Sequence, residues 1–177
     1  MKKGFTLIEL IIVIGILAIL ATVVVLVLNP AQMLAQARDS QRMSDLGSVK
    51  SAIALYLATA DSPAVGATSK GTVSTACWFG TTCATACSGI STSTAVDGTG
   101  WINVDLTGTT GGSPLSALPL DPSQTATYQY AYIGDATNLT FELNANLEST
   151  KYSGLEATDG GNCSSVYEIG TAPGLAL

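Results

Sequence analysis

Gly4-Phe5-Thr6-Leu7-Ile8-Glu9, preceded by Lys2-Lys3 and followed by an apolar run to Leu28, decides how the 177-residue chain is organised. Phe5 to Leu28 is 24 residues long and, besides Thr6 and Thr22, holds one residue foreign to a bilayer, Glu9. As a helix rising about 1.5 Å per residue, the run spans roughly 36 Å, enough for the ~30 Å hydrocarbon core. A charge inside such a segment costs about 3 kcal/mol on insertion scales, so Glu9 calls for a role and a partner.

Lys2 and Lys3 flank the run on its N-terminal side, and the first charges beyond it, Arg38 and Asp39, cancel. The positive-inside rule leaves the N-terminus in the cytoplasm and exports everything from Asn29 onward. Two plainer readings compete. A secretory signal peptide has a shorter apolar stretch, and the Ala35-Gln36-Ala37 triplet of the cleavage type falls well past the run. A permanent signal-anchor explains the orientation but not an acid at its cytoplasmic end.

Composition narrows the function. Seven Lys and Arg against 13 Asp and Glu give a formal charge of −6, with no basic stripe, which argues against direct nucleic-acid binding. There is no histidine, which removes the commonest general base, the commonest metal ligand and every His-activated nucleophile. An enzyme is not expected, nor a cofactor or metal. Cys77, Cys83, Cys87 and Cys163 all lie beyond the apolar run. In an exported segment they read as up to two disulfides with three possible pairings. Zinc is the weaker alternative, because C-x5-C and C-x3-C spacings without His do not match its usual knuckles.

Beyond the run, Asn29-Pro30 marks a kink and a helix restart, Asn29 as cap and Pro30 at the first position. Met43, Leu46, Val49, Ile53, Tyr56 and Ala60 recur at spacings of three and four, so an amphipathic helix is expected from Ala31 to about Ala60. Arg38, Asp39, Gln41, Arg42, Asp45 and Lys50 fall mainly on its other faces and read as a solvated surface, with weak i,i+3 pairs Asp39–Arg42 and Arg42–Asp45. The helix should stop near Asp61-Ser62-Pro63. Residues 59–127 hold 24 Ser and Thr and only five charges, which predicts long loops with a few short strands, open to glycosylation. Trp101 to Leu106 alternates as a strand would. Thr127–Ile133, Leu139–Ala145 and Ser165–Ile169 predict an antiparallel meander that the helix stripe covers. The fold class is therefore α+β, one long N-terminal helix packed on a small antiparallel sheet. Its segments are a leader at 1–4, a membrane-length helix at 5–28, an amphipathic helix at 29–60 and a head at 61–177.

With Lys3-Gly4-Phe5-Thr6-Leu7-Ile8-Glu9-Leu10 at its start and an amphipathic helix behind a membrane-length run, the chain closely resembles a type IV prepilin. The specific part of the match is Lys3 to about Leu28; the rest of the layout matches more loosely. Leu118-Pro119-Leu120-Asp121-Pro122 to Tyr128 also looks like the start of the sheet in major pilins and in major pseudopilins of type II secretion. The chain departs from the common pattern in that the helix-breaking proline usually lies about four residues before Pro30, where Val25 and Leu26 stand.

The resemblance implies a pilin fold and a defined route. A prepilin peptidase cuts between Gly4 and Phe5 and methylates the new amino group of Phe5, and Glu9 serves assembly. Partners are then the membrane before assembly, the peptidase, the inner-membrane assembly machinery and further copies of the chain in a homopolymeric helical filament. The precursor lies in the inner membrane with its N-terminus in the cytoplasm, and the assembled subunit at the cell surface or outside the cell. Glu9 can pair with the Phe5 amine of its own helix or, more informatively, of a neighbouring subunit. Two unit charges 4 Å apart attract by about 4 kcal/mol at an effective dielectric near 20, similar to the insertion cost. Three roles remain open: a type IV pilus subunit for adhesion, motility or DNA uptake; a major pseudopilin; or a minor tip pilin that binds through Trp78, Phe79 and Trp101. Asp159-Gly160-Gly161-Asn162 and Asp97-Gly98-Thr99-Gly100 are the only local resemblances to a pseudopilin calcium loop. Both read better as Asp-Gly turns.

Overall fold

The structure is a computed structural model that describes residues 4–80, 82–172 and 177, without the side chain of Leu26. Lys2 and Lys3, on which the orientation argument rests, lie outside the described residues. Two helices form the spine, Leu7–Leu28 (α1) and Pro30–Thr59 (α2). Asn29 joins them with φ 42°, a left-handed conformation that Asn tolerates better than most residues. Its Oδ1 accepts the Gln32 amide at 3.4 Å, and Pro30 occupies the first turn, where no donor is lost. The kink therefore falls at Asn29-Pro30. At its far end α2 stops at Thr59, just before Asp61-Ser62-Pro63.

The strands are Lys70–Gly71 (β1), Ala76–Phe79 (β2), Thr85–Ala86 (β3), Gly89–Ile90 (β4), Tyr130–Asp135 (β5), Thr140–Ala145 (β6) and Tyr167–Gly170 (β7). Five of them form one sheet in the order β4-β1-β5-β6-β7, and β2 pairs with β3 in a separate ribbon. The expectation of a purely antiparallel sheet needs correcting: β1 and β4 run parallel, so the sheet is mixed. Residues 72–88, which carry the β2–β3 ribbon, supply the crossover that parallel neighbours require. The remaining pairs are antiparallel, with Tyr132 opposite Leu143 and Leu143 opposite Ile169.

Alternation along the strands sorts the sheet into two faces. Tyr130, Tyr132, Phe141, Leu143 and Ala145 pack with Leu46, Val49, Ala52, Ile53 and Tyr56 of α2. The helix stripe is thus the cover that its periodicity implied. On the reverse face Ala131 and Ile133 pack against Cys77, Phe79 and Cys87 of the ribbon. Disulfides join Cys77 to Cys87 and Cys83 to Cys163, closing loops of sequence separation 10 and 80, and no cysteine is free among the described residues. Loops of these lengths remove about 3 and about 4.5 kcal/mol of unfolded-chain entropy on the polymer model.

Trp101–Leu106 is not a strand. Trp101, Ile102, Val104 and Leu106 are all fully buried in the main core while Asp105 is exposed, but the segment finds no strand partner beyond an isolated bridge from Asp105 to Asp97. Its polar atoms are satisfied locally: Trp101 Nε1 donates to the Pro119 carbonyl at 2.9 Å, and a short 3-10 turn follows at Leu106–Gly108.

The larger correction concerns Asp39 and Arg42, expected on a solvated face and in fact wholly buried. Arg42 donates through Nε and Nη2 to the Asp121 carboxylate at 2.6 and 3.0 Å, through Nη1 to Asp39 at 2.8 Å, and through Nη2 to Ser123 and Glu148. Asp39 in turn accepts the Glu148 and Ser149 amides at 2.9 and 2.8 Å, while Arg38 grips Glu148 from the rim. The Arg42 guanidinium also lies 4.9 Å from the Tyr128 ring centroid. One cation thus ties α2 to the 119–123 and 147–149 segments. The Arg38 and Arg42 guanidiniums hold Glu148 down at about 2.

Removing one member of a buried ionic group costs about 3–5 kcal/mol, because its partners stay buried and uncompensated. Arg42→Ala should lose that much in urea unfolding of the full chain in detergent, and a loss below about 1 kcal/mol would contradict this account. Because Glu148 titrates lower folded than unfolded, its contribution is present above the ordinary carboxylate value and fades as pH falls from about 4.5 towards 2.

Candidate functional site

The candidate site is the outer surface of α1 and the turn that starts it. A helix that is apolar on one stripe can bury that stripe in its own domain, but α1 is apolar on every side. All its described side chains are exposed, with Leu7 78%, Ile19 67% and Val27 76% accessible. The continuous helical run that contains it is long and apolar enough to cross a membrane, and the head buries none of that apolar stretch. Its backbone is satisfied internally, which is the condition for a segment surrounded by lipid or by other apolar helices.

Glu9 sits in the first turn of this helix. Thr6 is the N-cap: its Oγ1 accepts the Glu9 amide at 3.2 Å. The Glu9 carboxylate reaches back through Oε2 to the Thr6 amide at 2.8 Å and the Thr6 hydroxyl at 2.9 Å. This is a reciprocal capping box, which satisfies two otherwise unpaired donors at the end of the helix. Sequence reasoning treated Glu9 only as an acid awaiting a positive partner and passed over Thr6. The Thr-x-x-Glu spacing ahead of an apolar run was the signal that could have found it. The same geometry fixes where the negative charge lies: at the turn that follows Gly4-Phe5, beside the positive end of the helix dipole.

A Cβ added at Gly4 would meet nothing within 4 Å among the described residues, and Phe5 is 87% exposed. The Gly4–Phe5 bond therefore lies in open chain ahead of the first helical turn, as access by a peptidase requires. The four cysteines sit elsewhere, on the reverse side of the sheet, and take no part in this region.

Other sequence candidates separate from the site. Trp101 and Phe79 are fully buried, so neither offers a binding surface, and Trp78 is half-buried at φ 57°. Asp159 uses Oδ1 for the Gly161 amide and Oδ2 for the Glu168 amide, and Asp97 uses Oδ1 for Thr99. Both are turn-forming carboxylates. Among the described residues no group of three or more His, Cys, Asp or Glu is placed to hold a metal ion.

Loss of an N-cap costs about 1 kcal/mol. Thr6→Val should therefore speed hydrogen exchange at the Glu9 amide in micelles by roughly fivefold, with Thr6→Ser close to the parent. Equal rates in all three proteins would show that the cap does not hold this turn.

Residues 1–25 match the family model described as the prokaryotic N-terminal methylation motif. No curated protein and no solved structure matches the chain. The motif covers the short charged leader, the Gly4–Phe5 bond, Glu9 and most of α1, and the body behind it is a long helix packed on a small mixed sheet. This N-terminal motif supports a type IV prepilin-like protein, a pilin- or pseudopilin-type substrate of prepilin peptidase.

Proposed function

We propose that the chain is the structural subunit of a type IV pilus. The peptidase cuts between Gly4 and Phe5 and methylates Phe5, and the mature subunits polymerise through α1 into a helical surface filament. The observation that carries this reading is a membrane-length helix whose described side chains are all exposed, lying largely within a methylation motif and bearing a single acid at its start. The leader ends at Gly4, residues 5–28 hold the subunit in the inner membrane and later line the filament core, and residues 61–177 form the exported head.

The cut changes the chemistry at the start of α1. Before it, the Phe5 nitrogen is an amide, and among the described residues Glu9 finds its donors on Thr6. After it, Phe5 carries a cationic amine within a turn of the carboxylate. Glu9 Oε2 is committed to the cap, which leaves Oε1 for the Phe5 amine of a neighbouring subunit. An attraction of about 4 kcal/mol at an effective dielectric near 20 offsets most of the cost of the buried charge. Because the contact is head-to-tail between unlike surfaces, it does not close on itself and generates a filament.

A pseudopilus subunit of a secretion system is the second reading, since the same motif and helix serve both. The turn-forming use of Asp159 and Asp97 favours the pilus. The burial of Phe79 and Trp101 weighs against a minor tip pilin that binds through those rings.

Glu9→Ala should insert and be cleaved normally yet yield filaments at less than about a tenth of the parent level, since a loss of ~1.4 kcal/mol already gives a factor of ten. Sheared surface protein and the cleaved membrane pool are measured side by side. Normal filament yield from Glu9→Ala would remove Glu9 from assembly.

A further inference from the structure

The face of the sheet away from α2 hides an acid pair that the filament reading does not use. Glu142 and Asn144 on β6 and Glu168 on β7 are fully buried, Asn144 directly opposite Glu168 and Glu142 diagonal to it. Glu142 Oε1 accepts from Asn144 Nδ2 at 2.9 Å and Oε2 from the Leu177 amide at 3.0 Å. Glu168 Oε2 accepts the Cys163 amide at 2.7 Å, while its Oε1 and Asn144 Oδ1 have no donor among the described residues. Asn144 thus stands between two buried carboxyl groups, bonded to one and directly opposite the other. Two carboxylates offer only acceptors, so they can bond to each other only when one of them holds a proton.

Among the described residues, nothing around the pair supplies a positive charge. The ribbon contributes the Cys77 and Trp78 carbonyls, each 3.4 Å from Asn144 Nδ2. β5 contributes Ala131 and Ile133. The 159–163 loop contributes a third acid, Asp159, whose Oδ2 accepts the Glu168 amide at 2.7 Å. The same loop brings Gly161 so close that a Cβ there would lie 2.1 Å from Glu168 Oε2. Every ion pair among the described residues belongs to Arg38 and Arg42 on the α2 side.

We propose that the Glu142–Glu168 pair is a proton-operated fastener for the back of the head, holding the β2–β3 ribbon and the 159–163 loop on the sheet while one proton is shared, and releasing them when it is lost. Deprotonation leaves two like charges with Asp159 beside them and no cation near. The α2 side of the sheet, with its own core and the Arg42 cluster, is untouched by that change.

Burial, together with the charges of Glu142 and Asp159, pushes Glu168 up to about 8, and burial raises Glu142 as well. A folded-state value above the ordinary 4.5 means that the folded head binds the proton more tightly than the unfolded chain. The stabilisation is complete below 4.5 and is lost as pH rises through about 8.

The two tryptophans report the two layers separately: Trp78 lies in the ribbon and Trp101 in the α2 core. Full-length protein in detergent micelles is followed by tryptophan emission and by melting between pH 5 and pH 9. The parent should show a red shift centred near pH 8 and a Tm lower by about 5 °C or more at pH 9. The shift should vanish in Trp78→Phe, which keeps only Trp101. Glu168→Gln, whose amide can donate to Glu142 at any pH, should abolish both effects, and Glu142→Gln serves the same purpose should Glu168→Gln fail to fold. The proposal is overturned by a parent that is unchanged from pH 5 to pH 9, by a transition that persists in the Gln variants, or by a red shift that Trp78→Phe retains.

Discussion

A helix of membrane length that its own domain leaves bare must be covered by something outside the subunit. Burying a valine, leucine or isoleucine side chain stabilises by about 1.5–3 kcal/mol, and α1 presents more than a dozen such side chains on all sides. One charged residue near one end, at about 3 kcal/mol, cannot outweigh that sum. In the proposed filament, insertion and later burial among like helices follow from the apolar content, and Glu9 selects only which arrangement of those helices is accepted. On that proposal the stability of the assembly and its register come from different residues on the same helix.

The head is built to hold α2 in a fixed relation to the sheet. Arg42 is the one cation in the buried cluster's centre, and it reaches Asp39 on its own helix and Asp121 and Glu148 from two distant loops. A buried ionic group is weak evidence for stability as such, because desolvation offsets much of the attraction. It is more informative as a geometric constraint, since a bidentate guanidinium–carboxylate contact tolerates little rotation. The apolar stripe from Leu46 to Tyr56 supplies the burial, and Arg42 fixes how α2 is seated. On the opposite side, two disulfides do what a small ribbon of four-residue and two-residue strands cannot do by hydrophobic burial alone.

The parts of this architecture written in local patterns were legible in the sequence. The apolar run, the Asn29-Pro30 kink, the α2 stripe and the three long strands each carry a periodicity or a turn signal within a dozen residues. The parts set by distant partners were not. Asp39 and Arg42 look like an ordinary surface pair at i,i+3, and their burial depends on Asp121 and Glu148, which lie 79 and 106 residues from Arg42. Strands β1 and β4 have two residues each, too few to show alternation, so the parallel pairing at the sheet edge left no trace. Trp101–Leu106 alternates in sequence and buries Ile102, Val104 and Leu106, yet gains only an isolated bridge at Asp105 in place of a strand partner, a tertiary outcome that overrides the local pattern. The candidate site was the most legible region, because its chemistry is packed into consecutive residues. The Thr6–Glu9 cap was not read from the sequence, although the Thr-x-x-Glu spacing carries its signal.

The most direct test of the account is intact mass and N-terminal sequencing of filaments sheared from cells that express the chain. The proposal expects the dominant surface species to begin at Phe5 with a methylated amino group and to carry four cysteines in disulfide form. Surface filaments whose subunit still begins at Met1, or processed chain confined to the membrane with none at the surface, would contradict it.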